Sequence, residues 1–361
     1  MTITGRFYAL DVLRGLAIAL MVLVNTPGSW SHVYAPLLHA RWDGFTFADI
    51  VFPGFLFVVG AAMAFSLKGA RLDTATVTRI LKRTLLMFGF GLLLNVISNP
   101  DPATLRVMGV LQRIALCYML VALLVLSVPR LALIGVAVAL PLLYLGLLLQ
   151  TPEPFSLAGN LVLQVDLAVF GASHLYQGYG IAFDPEGLLS TLPSMVNVLI
   201  GYLVASQLVG KTHQAVVRQL LMLGAVLSVV ALVGNWWWPV NKPLWSGTYV
   251  ALSCGILLFI LAALVYLVDI RKATRLTEPL RIYGTNPLLI YILSQVMAIV
   301  MAKWLVWGEG ASRQSLTDYL FNLLALGLEE KLASLFFAVL HVVLFWALAR
   351  YLYQRQIFLK L

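Results

Sequence analysis

Charge is what this chain has least of. Of its 361 residues only 11% are Asp, Glu, Lys or Arg, while 61% are hydrophobic. A soluble domain carries about 25% charged residues, so a water-soluble globular fold is excluded. Cysteine is nearly absent. Cys117 and Cys254 each lie inside an apolar run, which gives neither a disulfide framework nor a pair of metal ligands; core packing is their expected role. The chain also lacks a P-loop, a GxSxG nucleophile elbow and an HExxH pair, so none of the chemistries those motifs carry is written here, and no metal is expected. No internal repeat, low-complexity segment or inverted pair of broken helices is visible, although transporters often show the last.

What the chain does have is apolar runs of about 20 residues, the length that crosses a bilayer. Ten spans are expected, near 9–28, 45–67, 83–99, 107–127, 131–149, 188–208, 218–238, 248–268, 283–305 and 332–352. Clusters such as "NTPGS", "SNPDP", "QTPEP" and "WWWPVNKP" mark their ends. The first run holds Asp11 and Arg14 and is followed by no small-residue cleavage site, so it reads as a retained span rather than a signal peptide. With the N-terminus inside, 17 of the 24 Lys and Arg, Arg6 and Lys360 among them, fall on the inner side, six fall outside, and Arg113 lies within a span. That bias predicts N-in and C-in. The net charge of +9 is therefore a topology signal, and no nucleic-acid partner is expected. The reading is an all-α, polytopic membrane helix bundle of about ten spans, with residues 1–361 as one domain.

A few polar residues interrupt the apolar pattern. Asp11 and Arg14 share a helix face at i,i+3, as an ion pair or as a site for an anionic inner-face ligand. Asn25 closes the first span, as a cap before Pro27 and Gly28 or as a donor to a reacting carbonyl. Thr46 and Asp49 fit a capping box at the start of span two. Pro53 has no N–H to give the Asp49 carbonyl, and the freed acceptor suits a cavity wall. His39, beside Trp42 and Asp43, has the proton affinity of a general base near neutral pH, although a lone loop histidine is more often inert. Gln112 and Arg113 lie within span four, and a guanidinium there needs a carboxylate partner or an anionic ligand. Asp184 and Glu186 precede span six, as helix-start residues or as ligands for an amine or sugar hydroxyls. Trp236, Trp237, Trp238, Trp245 and Tyr249 form an interfacial belt or stack on sugars with Asn241 and Lys242. Asn286, before Pro287, is a helix start or part of an inner cofactor mouth.

These residues alone do not separate an enzyme from a transporter. Six ordered blocks do more: "LDVLRGLAIALMVLVN", "HARWDGFTFADIVFPGFLFVVG", "GVLQRIALCY", "DPEGLLSTLPS", "VNKPLWSGTYV" and "GTNPLLIYI". Together they resemble the heparan-α-glucosaminide N-acetyltransferase family over nearly the whole chain, most closely its bacterial members encoded with genes for N-acetylglucosamine use. The resemblance implies a multi-pass protein of the bacterial inner membrane. It implies acetyl transfer from cytoplasmic acetyl-CoA to the amino group of a glucosamine-type sugar or glucosaminide on the far side. Its essential histidine falls on His39, with His32 the alternative in the slightly longer intervening loop, and its partner asparagine falls on Asn25.

On that implication His39 is the base, Asn25 hydrogen-bonds the acetyl carbonyl, Asp49 orients the histidine or holds the helix mouth, and Trp42 walls the site. Asp11, Arg14, Gln112, Arg113, Asn286 and the inner-loop arginines are the expected coenzyme A contacts. Asp43, Asp184, Glu186, Asn241, Lys242 and Trp245 are the expected acceptor contacts. The expected partners are coenzyme A, the amino sugar and the lipid bilayer, with a homodimer as an open assembly. No counterpart is expected of the large soluble region that precedes the membrane domain in the animal enzyme, which leaves open its dimer contacts and its recognition of long polysaccharides. Two alternatives stay open: a transporter of N-acetylglucosamine or a related amino sugar, and O-acetylation of a cell-envelope glycan.

Overall fold

The computed structural model describes residues 7–208 and 210–359; Arg6 and Lys360, counted above on the inner side, lie outside them. Thirteen α-helices make up nearly all of the regular structure among the described residues, and ten helical segments are long and apolar enough to cross a membrane. In chain order the spans are α1 (Tyr8–Asn25), α2 (Val51–Ser66, entered through a 3-10 turn at Phe47–Ile50), α3 (Thr74–Ser98), α4 (Val110–Ser127) and α5 (Arg130–Leu148). The short outer helix α6 (Leu161–Phe170) follows, then spans α7 (Thr191–Leu208), α8 (His213–Gly234) and α9 (Gly247–Leu264, extended by a π-helical turn, Val265–Ile270). After α10 (Thr274–Tyr283) come α11 (Pro287–Ile299, with a π-helical end, Val300–Trp304), the short α12 (Leu316–Ala325) and the last span, α13 (Glu330–Gln354).

The centre of the bundle is set by glycine. A Cβ on Gly60 of α2 would lie 1.8 Å from the Val198 carbonyl oxygen of α7, and one on Gly201 of α7 would lie 2.0 Å from that of Phe57. The two backbones therefore touch, as small residues allow in membrane helices. Helices α2 and α7 are the most enclosed spans, while α3, α5 and α8 keep most of their side chains on the outside of the bundle, where leucine and valine meet lipid.

Two spans differ from the expected boundaries for physical reasons. Helix α3 starts nine residues earlier than the apolar run, because Asp73 accepts the Thr76 N–H at 2.8 Å and caps it. Its first turns then carry Arg79, Lys82 and Arg83. Helix α8 ends at Gly234, and Trp236–Trp238 form a turn whose amides bond back to Val233 and Gly234. Helices α6, α10 and α12, ten residues each, are too short to span, although α6 is itself apolar.

The start of α2 follows its local sequence. The Thr46 N–H donates to Asp49 Oδ2 at 2.9 Å, completing the capping box. The Asp49 carbonyl freed by Pro53 accepts the Tyr249 hydroxyl of α9 at 2.7 Å.

Candidate active site

At the end of the bundle where α1 closes, α1, α2, α4 and four loops enclose a cavity of about 310 Å³. His39 and Asn25 both line it. His39 sits just before the α2 capping box, and its Nδ1 is 2.8 Å from Asp49 Oδ1. The Asp49 side chain is fully buried, whereas 43% of the imidazole is exposed. The second carboxylate oxygen, Oδ2, accepts from the Thr46 N–H, the Thr46 hydroxyl at 3.0 Å and the Ala40 N–H at 3.2 Å. One end of the carboxylate is thus pinned to backbone, and the other holds the ring. An Nδ1–H given to Asp49 leaves Nε2, which has no partner among the described residues, as the basic nitrogen.

Lys242 crowds the same nitrogen. Its Nζ is 2.8 Å from His39 Nδ1 and 3.5 Å from Asp49 Oδ1. Burial pushes its ammonium below the usual lysine range, against the pull of Asp49 and Glu186. Asn25, at the last turn of α1, makes no side-chain hydrogen bond among the described residues, so its amide is available to a ligand.

The far wall of the cavity is built around Arg106. It forks onto Asp184 at 2.8 and 2.6 Å and reaches Glu186 at 2.6 Å, with the Tyr176 ring 5.0 Å beneath it. Burial works against the Arg106 charge, but the two carboxylates outweigh it and raise its pKa above the ordinary value. Glu186 lines the cavity with Tyr176, Tyr179 and the 61%-exposed indole of Trp30.

Two further cavities open at the opposite half of the bundle. The first, about 450 Å³, is lined by Asp11 and Arg14, which pair at 3.2 Å. The second, about 340 Å³, is lined by Arg14, Arg83, Tyr118 and Pro287. One side of α2 connects the two ends. Ala48, Val51 and Phe52 face the His39 cavity, and Phe55, Val58 and Ala62 face the other two. These positions fall at helical spacing along one stripe.

The remaining predicted residues sit behind these walls. Arg113 is fully buried: it donates to Ser190, to Ser194 at 3.1 Å and to the Gly187 carbonyl at 2.8 Å, and stacks on Trp245 at 5.0 Å. Gln112 donates to the Val107 carbonyl at 3.1 Å. Asn286 is bonded to Ile357 and Leu359, which ties down the C-terminal segment. None of the three lines the cavities above. Asp43 and Asn241 bond to each other at 3.1 Å and bring the Lys242 loop against the His39 loop. Trp42 packs against Phe183 and donates to the Phe155 carbonyl, while Trp245 donates to Asn197 at 2.9 Å. Asp184 is spent on Arg106. His32 turns away, pairing with Glu330 at 2.9 Å. Trp236 and Trp237 are mostly exposed, whereas Trp238, Trp245 and Tyr249 are core.

Sequence reasoning missed Trp30, Arg106, Tyr176 and Tyr179. All lie in outer connections, and the aromatic run "HLYQGYG" was the one available signal. Among the described residues no cluster of three or more His, Cys, Asp or Glu is placed to hold a metal ion.

This arrangement can take a proton at one mouth, hydrogen-bond a carbonyl beside it and bind anions at the opposite end of an apolar stripe. Comparison with known proteins gives a family. The heparan-α-glucosaminide N-acetyltransferases of Homo sapiens and Mus musculus are each 27% identical to the chain over 99% of its length. The chain spans about 60% of the length of these relatives. The family model described as heparan-alpha-glucosaminide N-acetyltransferase, catalytic, matches residues 6–239, which takes in His39, Asn25, Arg14 and the whole Arg106 wall. The chain belongs to this family of multi-pass membrane proteins.

Proposed function

We propose that this protein transfers the acetyl group of acetyl-CoA, taken up at the inner face of a bacterial inner membrane, to the amine of a glucosaminide held at the outer face. One observation carries the reading: the His39–Asp49 pair and the unpartnered amide of Asn25 share a cavity joined by the α2 stripe to the arginine-lined inner cavities.

Coenzyme A is anionic, and Arg14 and Arg83 offer guanidinium donors for its phosphates. From Val58 to Ala48 the helix rises about 15 Å. The pantetheine arm follows that distance, with apolar side chains excluding water, and places the thioester beside Asn25. The acceptor amine attacks the carbonyl carbon in its neutral form. The C–N bond forms, the C–S bond breaks, and the amine proton passes to His39 Nε2 while coenzyme A leaves as the thiolate. His39 then returns that proton to the thiolate or to water. Asn25 donates to the carbonyl oxygen as negative charge develops on it. Asp49 holds the ring and stabilises the imidazolium, and Glu186 faces the acceptor amine. Transfer is direct, because one base and one carbonyl donor suffice.

Proteoliposomes with defined protein orientation test this reading. Acetyl-CoA on the inner-face side and glucosamine on the other should give N-acetylglucosamine only on the glucosamine side. Product that requires both reactants on one side contradicts transfer across the membrane. Glucosamine or N-acetylglucosamine uptake without acetylation makes the protein a transporter.

A further inference from the structure

A second outer cavity, of about 360 Å³, lies between the loop after α1 and helices α11, α12 and α13. Asn25 and Trp30 line it, and both also line the His39 cavity. The loop carrying Trp30 is pinned to α13. The Gly28 N–H donates to the Ser334 carbonyl at 3.3 Å, the Ser29 N–H donates to Ser334 Oγ at 3.1 Å, and His32 pairs with Glu330. The indole is therefore set between two cavities with most of its surface free.

The lining of this second cavity is specific in its chemistry. His341 Nδ1 faces the Phe337 carbonyl at 3.0 Å. A carbonyl only accepts, so the proton is on Nδ1 and Nε2 is left as an acceptor. Asp318 Oδ2 is used by the Ser315 N–H and hydroxyl, while Oδ1 has no partner among the described residues. The hydroxyls of Ser31 and Thr317 are unpartnered as well. Phe337 adds an apolar face, and no lysine or arginine lines the cavity. Such a wall suits a ligand rich in O–H or N–H donors with an apolar C–H face, that is, a sugar ring. It offers no counter-charge to a carboxylate or sulfate, and Asp318 repels both. Each cavity is at the small end of binding sites, about 300–1,000 Å³, so each holds about one ring.

We infer that this cavity is a second sugar subsite: it takes an uncharged or amine-bearing ring linked to the glucosamine at His39, with Trp30 stacked under the linkage. The inference rests on the acceptor reading of the His39 cavity. It makes the preferred acceptor a glucosaminide of at least two rings whose second ring carries no acid.

The test compares acetyl transfer by the purified full chain to glucosamine, to a glucosamine disaccharide and to a glucosamine–uronate disaccharide. Stacking and hydrogen bonding of a second ring predict about a tenfold gain in kcat/KM for the glucosamine disaccharide over the monosaccharide, and no gain for the uronate compound. Thr317→Ile, which fills the cavity, should remove the gain and leave monosaccharide turnover unchanged. Ser31→Tyr should do the same from the opposite wall, so one unfolded variant leaves the other to decide. Equal kcat/KM for all three acceptors, or a gain that survives both variants, overturns the subsite while acetyl transfer stands. A gain for the uronate disaccharide overturns the charge assignment. If no amine is acetylated by folded protein, the acceptor reading itself fails, and the subsite with it.

Discussion

The Asp49 carboxylate lies fully buried behind the half-exposed imidazole of His39, with Oδ1 2.8 Å from Nδ1. The same carboxylate caps the 3-10 turn leading into α2 through Thr46. A helix start and a candidate base are thus built from one side chain. The base inherits the rigidity of the helix, and Lys242, 3.5 Å from Asp49 Oδ1, ties a distant loop to the pair.

Asp49→Asn separates these two duties. The amide keeps an oxygen for the cap but no longer accepts the Nδ1 proton as a charged partner. Stability should fall by about 1–2 kcal/mol, as for a weakened cap. The rate constant kcat should fall about 100-fold or more with little change in the KM for acetyl-CoA. Thermal unfolding in detergent and steady-state kinetics read the two separately, and a variant with normal kcat refutes the orienting role.

Arg113→Ala should act on stability. It removes a buried guanidinium from Ser190, Ser194, the Gly187 carbonyl and the Trp245 ring. The loss should be about 3 kcal/mol, seen as a lower unfolding temperature, with coenzyme A affinity unchanged in the protein that folds. A well-folded variant with weakened coenzyme A binding contradicts this placement.

Arg83→Ala should show the opposite pattern. Its guanidinium lines an inner cavity and is 3.5 Å from the Tyr118 hydroxyl. Removing one charge-assisted phosphate contact should raise the KM for acetyl-CoA about tenfold and leave kcat and the unfolding temperature near normal. An unchanged KM places the phosphates elsewhere.

Asp166, on the outer helix α6, predicts a pH effect on stability. Its side chain is buried, Oδ1 accepts the Leu188 N–H at 2.8 Å, and Oδ2 has no partner among the described residues. Burial pushes its pKa up to about 7. A carboxyl whose folded pKa exceeds its unfolded value binds more protons when folded. Its contribution is greatest below the ordinary carboxylate range and is lost as pH rises through about 7. The unfolding temperature should therefore decline from pH 5 to pH 8, and Asp166→Asn should flatten that decline. A variant whose profile parallels the wild type contradicts the assignment.

Much of this was legible in the sequence wherever the cause is local. Length and hydropathy fix the ten spans, Thr46 and Asp49 announce their own capping box, and Pro53 announces a freed carbonyl. The position of Arg83 was less legible, because a hydropathy reading stops at charges that the helix, capped by Asp73, carries through. What was not legible is long-range pairing. Arg106 meets Asp184 across 78 residues, and Lys242 meets His39 across 203; no spacing rule reaches so far. The same holds for Trp30, whose place between two cavities depends on Ser334 and Glu330 at the far end of the chain. Trp236–Trp238 and Trp245 looked like one cluster, but the turn after Gly234 sends two of them outward and leaves the others in the core.

The most direct measurement of the central claim is amine-dependent release of free coenzyme A by the purified protein supplied with acetyl-CoA and glucosamine, with His39→Ala alongside. The account predicts release that requires the amine and that falls about 100- to 10,000-fold in His39→Ala, while the variant keeps its unfolding temperature and its affinity for coenzyme A. Near-normal release from folded His39→Ala would contradict it.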